Sequence, residues 1–229
     1  MLYCEDKCLK SDESKCDLKN KGFCLRKFKL DSLCKNALLT EQQMVHIDLR
    51  IDADGTDKEE FIKLKNIGEN IEDFVSKGKN LLLRSSITGN GKTLWSIRLL
   101  QNYFTKVWYL ADNDECKGLF IHVPRFLLSL KDAISEKSDY IDHIKRNVLD
   151  ADLVVFDEIG TKTTTSFESE NLLNIINTRI NAGKSNIYTT NLKPEELKDK
   201  LGDRLYSRIF NLSTDVELFG KDKRILARQ

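Results

Sequence analysis

The sequence predicts a three-layer α/β sandwich in which a parallel sheet lies between two layers of helices. Two observations indicate this architecture. From Lys58 onward, short apolar runs alternate with segments whose apolar residues recur at helical spacing. These runs are continuously apolar, which is typical of strands that helices cover on both faces.

The composition is that of a globular chain with a sizeable core. Of the 229 residues, 40% are apolar and 32% are charged, and 37 basic and 36 acidic side chains give a net charge of +1. A polybasic body that coats nucleic acid is thereby excluded, although a local basic groove is not. No apolar run approaches the ~18 residues that span a bilayer, and none follows Met1 as a secretion signal requires. We therefore expect a cytoplasmic location.

The cysteines divide the chain into two predicted domains. Five of the six cysteines lie within the first 34 residues, where apolar side chains are too few to build a core without a staple. A helix is predicted over 32–46, and the polar stretch 52–57 follows it. We place the domain boundary there, with a cysteine-rich module and linker helix over 1–55 and the α/β core over 56–229.

The predicted elements of the core follow in order along the chain. An amphipathic pattern predicts a helix over 58–77, and Pro124 suits the first turn of the helix after the second strand. The predicted strands are 80–84, 119–123, 153–156, 186–190 and 214–218. The other predicted segments are helices over 93–104, from Pro124, over 140–149, around 172–180, over 194–200 and over 203–210, with a polar loop over 106–117.

A glycine-rich motif connects the strand 80–84 to the helix after it. The pattern G-x-x-x-x-G-K-[ST] turns backbone N–H groups toward phosphates, brings a lysine to the β and γ oxygens and supplies a hydroxyl for Mg²⁺. Ser86 replaces the first glycine, which affects the entry to the loop but not the phosphate cradle. The motif therefore predicts a P-loop that binds ATP with Mg²⁺. The expected nucleotide-binding residues are Ser86, Thr88, Gly89, Asn90, Gly91, Lys92, Thr93 and Leu94.

Two carboxylates, Asp157 and Glu158, end the third apolar strand, and Asp157 lies 65 residues after Lys92. Asp157 is expected to hold Mg²⁺ together with Thr93. Glu158 is expected to polarise the attacking water, because hydrolysis needs a base in line with the γ-phosphate. An apolar run that ends in Asp-Glu is common, but the P-loop at this distance makes the pair specific.

Polar residues near the end of the chain complete the predicted site. If the strand 186–190 lies between the first and third strands, Asn191 reaches the γ-phosphate; the alternative is that Asn191 caps the turn before Pro194. Arg204 and Arg208 lie four residues apart on one helical face. They either reach the ATP of a neighbouring subunit as an arginine finger, which we favour, or are solvated charges.

These motifs resemble those of the AAA+ ATPases of the bacterial and phage helicase-loader family, the DnaC/DnaI type, over about 60–229. The resemblance rests on 89–93, 154–158, 189–191, 201–208 and the ending 219–224. It implies a five-stranded sheet with the P-loop strand central, Asn191 as the sensor-1 residue and Arg208 as the arginine finger, with Arg204 close by. About 20 residues follow Arg208, too few for the helical lid of initiator ATPases. Loaders and transposase-helper ATPases of the IstB type share that feature.

The cysteines fit the small metal-binding N-terminal module with which many loaders grip the replicative helicase. The spacing C-x3-C-x7-C-x7-C supplies four thiolates, enough for tetrahedral Zn²⁺. The expected ligands are Cys4, Cys8, Cys16 and Cys24, and Cys34 either replaces one of them or lies in the core as a small hydrophobe. An iron–sulfur cluster and unliganded thiols are the alternatives.

The positions of two further polar features suggest what each of them does. Lys162 and 163–165 form a polar loop that can face the central channel of a ring ATPase, where hydroxyls and a lysine suit the phosphates of single-stranded DNA. His122 lies in a strand and is interpreted as a packed core residue.

Together these features predict an ATP-dependent loader of a replicative DNA helicase, phage-encoded or phage-like. ATP is expected between the subunits of a homo-oligomeric ring or spiral that engages the helicase and single-stranded DNA. The alternatives are an IstB-like ATPase that assists a transposase and a nucleotide-dependent switch with little turnover. The cysteine-rich arm favours the loader over the transposase helper, and Glu158 argues against a pure switch.

Overall fold

The structure, a computed structural model, describes residues 24–44, 49, 55–111, 115–132, 137–162 and 165–219. The strands in these residues are β1 (Asn80–Arg84), β2 (Gly118–His122), β3 (Leu153–Asp157), β4 (Ser185–Thr190) and β5 (Ser213–Glu217). The helices are α1 (Leu25–Asn36), α2 (Glu41–Met44), α3 (Lys58–Glu69), α4 (Ile71–Ser76), α5 (Lys92–Val107), α6 (Val123–Asp132), α7 (Asp139–Asn147), α8 (Ser166–Asn181) and α9 (Pro194–Phe210).

The five strands form one parallel sheet in the order β2-β3-β4-β1-β5. The predicted five-stranded parallel sheet is confirmed, and β4 lies between β1 and β3. The expectation that the P-loop strand is the central one is wrong, because β4 occupies the middle and β1 lies between β4 and β5. Since all strands run the same way, the segments that follow β1, β3 and β4 emerge at one edge of the sheet.

Helices cover both faces of the sheet, which confirms the three layers. Leu81 and Leu83 of β1 point into a core shared with α1, α3, α4 and α5. Leu82, between them, points into a second core shared with α6, α7, α8 and α9. The alternation follows from the period of two along a strand. Burying a leucine of this kind contributes roughly 1.5–3 kcal/mol, so these runs fix the sheet between its two layers.

Several predicted elements have different bounds. The single helix predicted over 58–77 is divided at Asn70 into α3 and α4, whereas the helices predicted over 194–200 and 203–210 join as α9. A kink separates the two halves of α9 at Gly202, which has φ 76° and ψ 160°. This φ lies in the left-handed region that favours glycine, so the kink is encoded at that residue.

The N-terminal helix α1 packs on the core and is not separate from it. The helix predicted over 32–46 instead begins at Leu25 and ends at Asn36. Its residues Leu30 and Leu33 are buried in the same core as α5, and the carbonyl of Ala37 accepts a 2.9 Å hydrogen bond from the N–H of Phe120 in edge strand β2. Residues 24–44 therefore share their support with the core, and the predicted division into 1–55 and 56–229 stays a prediction.

In the described part of the chain, the helices are all too short or too polar to cross a bilayer.

Candidate functional site

The P-loop joins the end of β1 to the start of α5. Gly89 and Gly91 have φ values of 77° and 104°, which only glycine adopts readily, so both turns depend on these residues. The side-chain amide of Asn90 is buried and donates to Ser85 Oγ and, at 2.9 Å, to the carbonyl of Leu218 beyond β5. The loop is thus fixed to two strands, and the N–H groups at the start of α5 face the space beside it.

The ammonium of Lys92 lies against this loop. Nζ donates to the carbonyl of Ile87 at 3.1 Å and to Oδ1 of Asn90 at 3.2 Å. Lys92 also lines the cavity beside the loop, so a cationic side chain lies close to the inward N–H groups. Such a combination suits an anion.

Asp157, at the end of β3, accepts two hydroxyl hydrogen bonds on one oxygen. Thr93 Oγ1 donates to Oδ1 at 2.9 Å, and Thr189 Oγ1 of β4 donates to the same atom at 2.7 Å. Burial raises the pKa of Asp157 from its ordinary value, and the two threonine hydrogen bonds act in the opposite direction. A hydroxyl and a carboxylate in contact are oxygen donors of the kind that Mg²⁺ prefers.

Glu158 follows in a left-handed conformation with φ 59°. Its N–H donates to Thr189 Oγ1 at 2.9 Å, so Thr189 connects the two carboxylate residues. A non-glycine residue at this φ is uncommon and is held by its surroundings. Here the held residue presents its carboxylate beside the P-loop.

His122 contacts this carboxylate, and its interpretation as a packed core residue is wrong. Its ring is partly exposed, and Nε2 lies 3.3 Å from Oε2 of Glu158. The backbone N–H of Arg125 donates to Nδ1 at 3.4 Å, which assigns the proton of a neutral ring to Nε2. The register explains the position, because His122 at the end of β2 pairs with Asp157 at the end of β3.

Most of these residues line one cavity of about 680 Å³. The lining includes nine of the predicted site residues: Thr88, Gly89, Gly91, Lys92, Thr93, Leu94, Asp157, Glu158 and Asn191. It also includes His122, Thr189 and Thr190, which the motifs do not predict as site residues. Ser86 and Asn90 are not part of this lining, although Asn90 supports the loop. Polar residues at the ends of apolar strands were the available signal for the three missed residues.

Arg204 and Arg208 lie away from this cavity. Both are exposed on the second half of α9 and line a separate groove of about 610 Å³ against α8, together with Glu170 and Asp203. The structure therefore does not bring either arginine to the P-loop of its own chain.

The loop after β3 is only partly described. Lys162 Nζ lies 3.7 Å from Oε1 of the buried Glu168, which Lys131 also approaches at 3.4 Å. Thr165 caps α8 through a reciprocal pair of hydrogen bonds with Glu168. The remaining residues assigned to DNA contact, 163–164, lie outside the described residues.

The cysteines do not form a metal site in the described part of the chain, where no three His, Cys, Asp or Glu residues gather as ligands. Cys4, Cys8 and Cys16 lie outside that part. Of the two roles considered for Cys34, the structure shows the core position: its thiol is buried, and burial raises its pKa to about 12. Cys24 immediately precedes α1 and is partly exposed.

The fold and the P-loop geometry define a nucleotide-binding ATPase domain of the AAA+ class. The chain belongs to the family of the bacterial DnaA ATPase domain, whose model matches residues 64–215. The fold is shared with the DnaC helicase loader at 19% identity and a TM-score of 0.59, over 78% of this chain and 99% of that one. DnaI shares it at 17% identity and a TM-score of 0.57, over 77% and 88% of the two chains.

AMPPCP-bound DnaA from Aquifex aeolicus also has this fold, at 18% identity and a TM-score of 0.55. The match covers 80% of this chain and 52% of that DnaA, so the present chain corresponds to about half of it. The resemblance to AAA+ ATPases of the DnaC/DnaI type is thus confirmed.

Proposed function

We propose that the cavity binds ATP with Mg²⁺ and that the protein hydrolyses it. The observation that carries this proposal is the 2.9 Å contact of Thr93 with Asp157 across a separation of 64 residues. It joins a helix N-terminus suited to phosphates to a carboxylate suited to a cation. Thr93 and Asp157 would hold Mg²⁺, which would neutralise charge that develops on the phosphates. Asn191 is part of the lining of the same cavity, and we propose that it donates to the γ-phosphate.

Glu158 is the proposed general base for the attacking water. Its carboxylate lies on the cavity next to Asp157, and His122 and Thr189 hold its two ends, one at the carboxylate and one at the backbone N–H. A base must lie within hydrogen-bond reach of the water that it activates. A protein that only switches with nucleotide does not need such a group.

Substitution of the P-loop lysine tests nucleotide binding. Lys92→Ala should lose at least about tenfold in affinity for Mg-ATP, because a charged hydrogen-bond donor to the phosphates is removed. Titration calorimetry measures the affinity, and Lys193→Ala, on the exposed start of α9, is the matched control. Equal affinities of the two variants would contradict the proposed phosphate site.

Arg204 and Arg208 are proposed to act on the ATP of a neighbouring subunit. Their groove is separate from the cavity of their own chain, which supports action in trans. This arrangement requires a homo-oligomer, a ring or a spiral, with ATP at the interfaces between subunits.

Mixing variants tests this arrangement. Arg208→Ala should bind ATP normally and lose turnover, and mixing it with Lys92→Ala should restore turnover, because one interface then combines an intact site with an intact arginine. Mixed oligomers are verified by pull-down with two tags. Absence of any recovery in verified mixtures would count against action in trans.

The proposed biological role is ATP-dependent loading of a replicative DNA helicase onto single-stranded DNA in the cytoplasm during replication initiation. The support is the family membership together with the fold shared with the DnaC helicase loader and DnaI. The partner contacts are proposed for the cysteine-rich segment, which would bind the helicase, and for Lys162 and its neighbours, which would contact DNA.

Co-purification tests the partner. We expect a replicative helicase from the same source to co-purify with the full chain when ATP is present. With Lys92→Ala, the amount of helicase that co-purifies should no longer depend on ATP. Association with a transposase and not with the helicase would favour the IstB-like alternative.

Zn²⁺ bound by Cys4, Cys8, Cys16 and Cys24 remains a prediction. Elemental analysis of chain purified without chelator should find about one Zn²⁺ per chain, and Cys8→Ser should lower that content. Metal-free protein that still binds the helicase would contradict the zinc assignment.

A further inference from the structure

Helix α9 has two halves whose buried faces do not continue one another. In the first half the buried residues are Leu197 and Leu201. Arg204 is seven residues after Leu197, and Arg208 is seven residues after Leu201. Seven residues correspond to about two helical turns, so residues at this spacing share a face. In an unbroken helix both arginines would therefore lie on the face that the leucines bury.

The structure instead exposes both arginines. Leu205 and Ile209 are the buried residues of the second half, whereas Arg204 and Arg208 line the groove against α8. The change of face occurs at Gly202, where φ of 76° and ψ of 160° interrupt the helical backbone. This combination of dihedral angles is essentially restricted to glycine. The glycine at this position therefore determines which side of the second half faces outward.

The first half of α9 is fixed beside the P-loop cavity of its own chain. Gly160 lies two residues after Glu158. A methyl group on Gly160 would lie 2.8 Å from Cδ1 of Leu197 and 3.9 Å from Cδ2 of Leu201, so both leucines pack closely on the loop after β3. Asn191, which lines the cavity, precedes the helix by three residues. The kink thus lets one helix pack beside one site and direct its arginines away from that site.

We propose that Gly202 is a positioning residue, which turns Arg204 and Arg208 toward the ATP of a neighbouring subunit while the first half of α9 stays on its own site. This inference rests on the proposed action of these arginines in trans. Gly202 itself touches no nucleotide and acts through the direction of the second half. A reacting group displaced by about 1 Å can cost on the order of 100-fold in rate, so the kink should affect turnover.

The substitution Gly202→Ala tests the kink. Outside the adjoining backbone, no heavy atom of the described residues lies within 4 Å of the added methyl group, so the substitution acts through the dihedral angles and not through a clash. ATP affinity, measured by calorimetry, should be unchanged, and ATP turnover should fall at least about tenfold.

The matched control is Gly183→Ala. Gly183 has φ 67° and the same open surroundings among the described residues, but it lies in the turn before β4. Its alanine variant should turn over ATP as the wild type does. D-alanine in place of Gly202, introduced by semisynthesis of the full chain, has the same methyl group but favours positive φ. This variant should also keep the turnover of the wild type.

Mixing variants separates a positioning role from a structural one. Mixing Gly202→Ala with Lys92→Ala should restore turnover, because one interface then combines the intact ATP site of the first chain with the correctly placed arginines of the second. Mixing Gly202→Ala with Arg208→Ala should restore none, since neither chain supplies working arginines. A defect within the ATP site of the Gly202→Ala chain would not be repaired by Lys92→Ala subunits.

The other outcomes overturn the inference. Wild-type turnover in Gly202→Ala would do so, as would equal losses with L-alanine and D-alanine. A loss of ATP affinity or a failure to fold would give Gly202 a role within its own chain and would also overturn it. If Lys92→Ala restored Arg208→Ala but not Gly202→Ala, the inference would be wrong and the action of Arg208 in trans would stand. If it restored neither variant in verified mixed oligomers, both proposals would be wrong.

Discussion

The two ends of the sheet each carry a buried polar cluster, but only one of these two clusters opens onto the cavity beside the P-loop. At the amino-terminal edge, Arg179 of α8 donates to the carbonyls of Val148, Ala151 and Ser185 and to Oδ1 of Asn186, over 2.6–2.7 Å. This guanidinium is fully buried, and the cluster does not open onto the phosphate-loop cavity.

The carboxyl-terminal edge has its polar groups arranged around a cavity. Asp157 is buried with a raised pKa, Glu158 has a left-handed backbone, and the cationic side chain of Lys92 is buried. Each of these features costs stability in isolation. The cluster that is closed to the cavity therefore marks the structural end of the sheet, and the cluster that opens onto the cavity marks the binding end.

The largest effect on stability is expected at the closed end. Arg179→Leu should lower the free energy of unfolding by about 3 kcal/mol or more, because several buried acceptors lose their donor at once. Urea denaturation measures the change. Arg208→Leu, on an exposed arginine, is the control and should stay within about 0.5 kcal/mol of the wild type. If the two variants were equally stable, the Arg179 cluster would not be the structural end of the sheet.

A smaller loss is expected at Thr189, which belongs to the open end and makes hydrogen bonds with Asp157 and with the N–H of Glu158. Thr189→Val should cost about 1–3 kcal/mol and reduce ATP turnover, because the N–H of Glu158 loses its acceptor. Thr189→Ser keeps the hydroxyl and should keep most of both properties. If the valine variant matches the serine variant in urea denaturation and in turnover, Thr189 does not hold Glu158.

The smallest effect concerns reactivity and leaves stability unchanged. Burial raises the pKa of both Cys34 and Cys116 to about 12. Because a raised pKa reduces the thiolate at a given pH, both thiols should react with iodoacetamide at pH 8 at least about tenfold more slowly in native than in urea-unfolded protein. Mass spectrometry resolves the sites. If a chelator makes Cys34 react faster in the native protein, the result would indicate that Cys34 is a metal ligand.

Most of the residues that line the cavity could be predicted from the sequence because their motifs are local. Gly89, Gly91, Lys92 and Thr93 act within one loop, and the strand that ends at Asp157 is apolar throughout. The contributions of His122 and Thr189 require the order and register of strands that are distant along the chain. That information is not in any single motif, so His122 was assigned to the core.

The bounds of the N-terminal helix differ from the prediction for a related reason. Its few apolar residues, among them Leu30 and Leu33, are too few for an independent core, so the sequence alone does not indicate where they pack. In the fold they complete a core built by α5 and the sheet. A segment that is too polar to fold alone can still be part of a larger domain when its apolar residues have long-range partners.

Paired measurements of ATP binding and turnover on Glu158→Gln test most directly whether Glu158, at the open end of the sheet, is the base for ATP hydrolysis. Both measurements are made at a protein concentration at which the wild type hydrolyses ATP. The amide keeps the shape of the side chain but is not a base, so ATP affinity should be unchanged and turnover should fall by about 100-fold or more. Turnover at the wild-type rate with intact binding would contradict the claim.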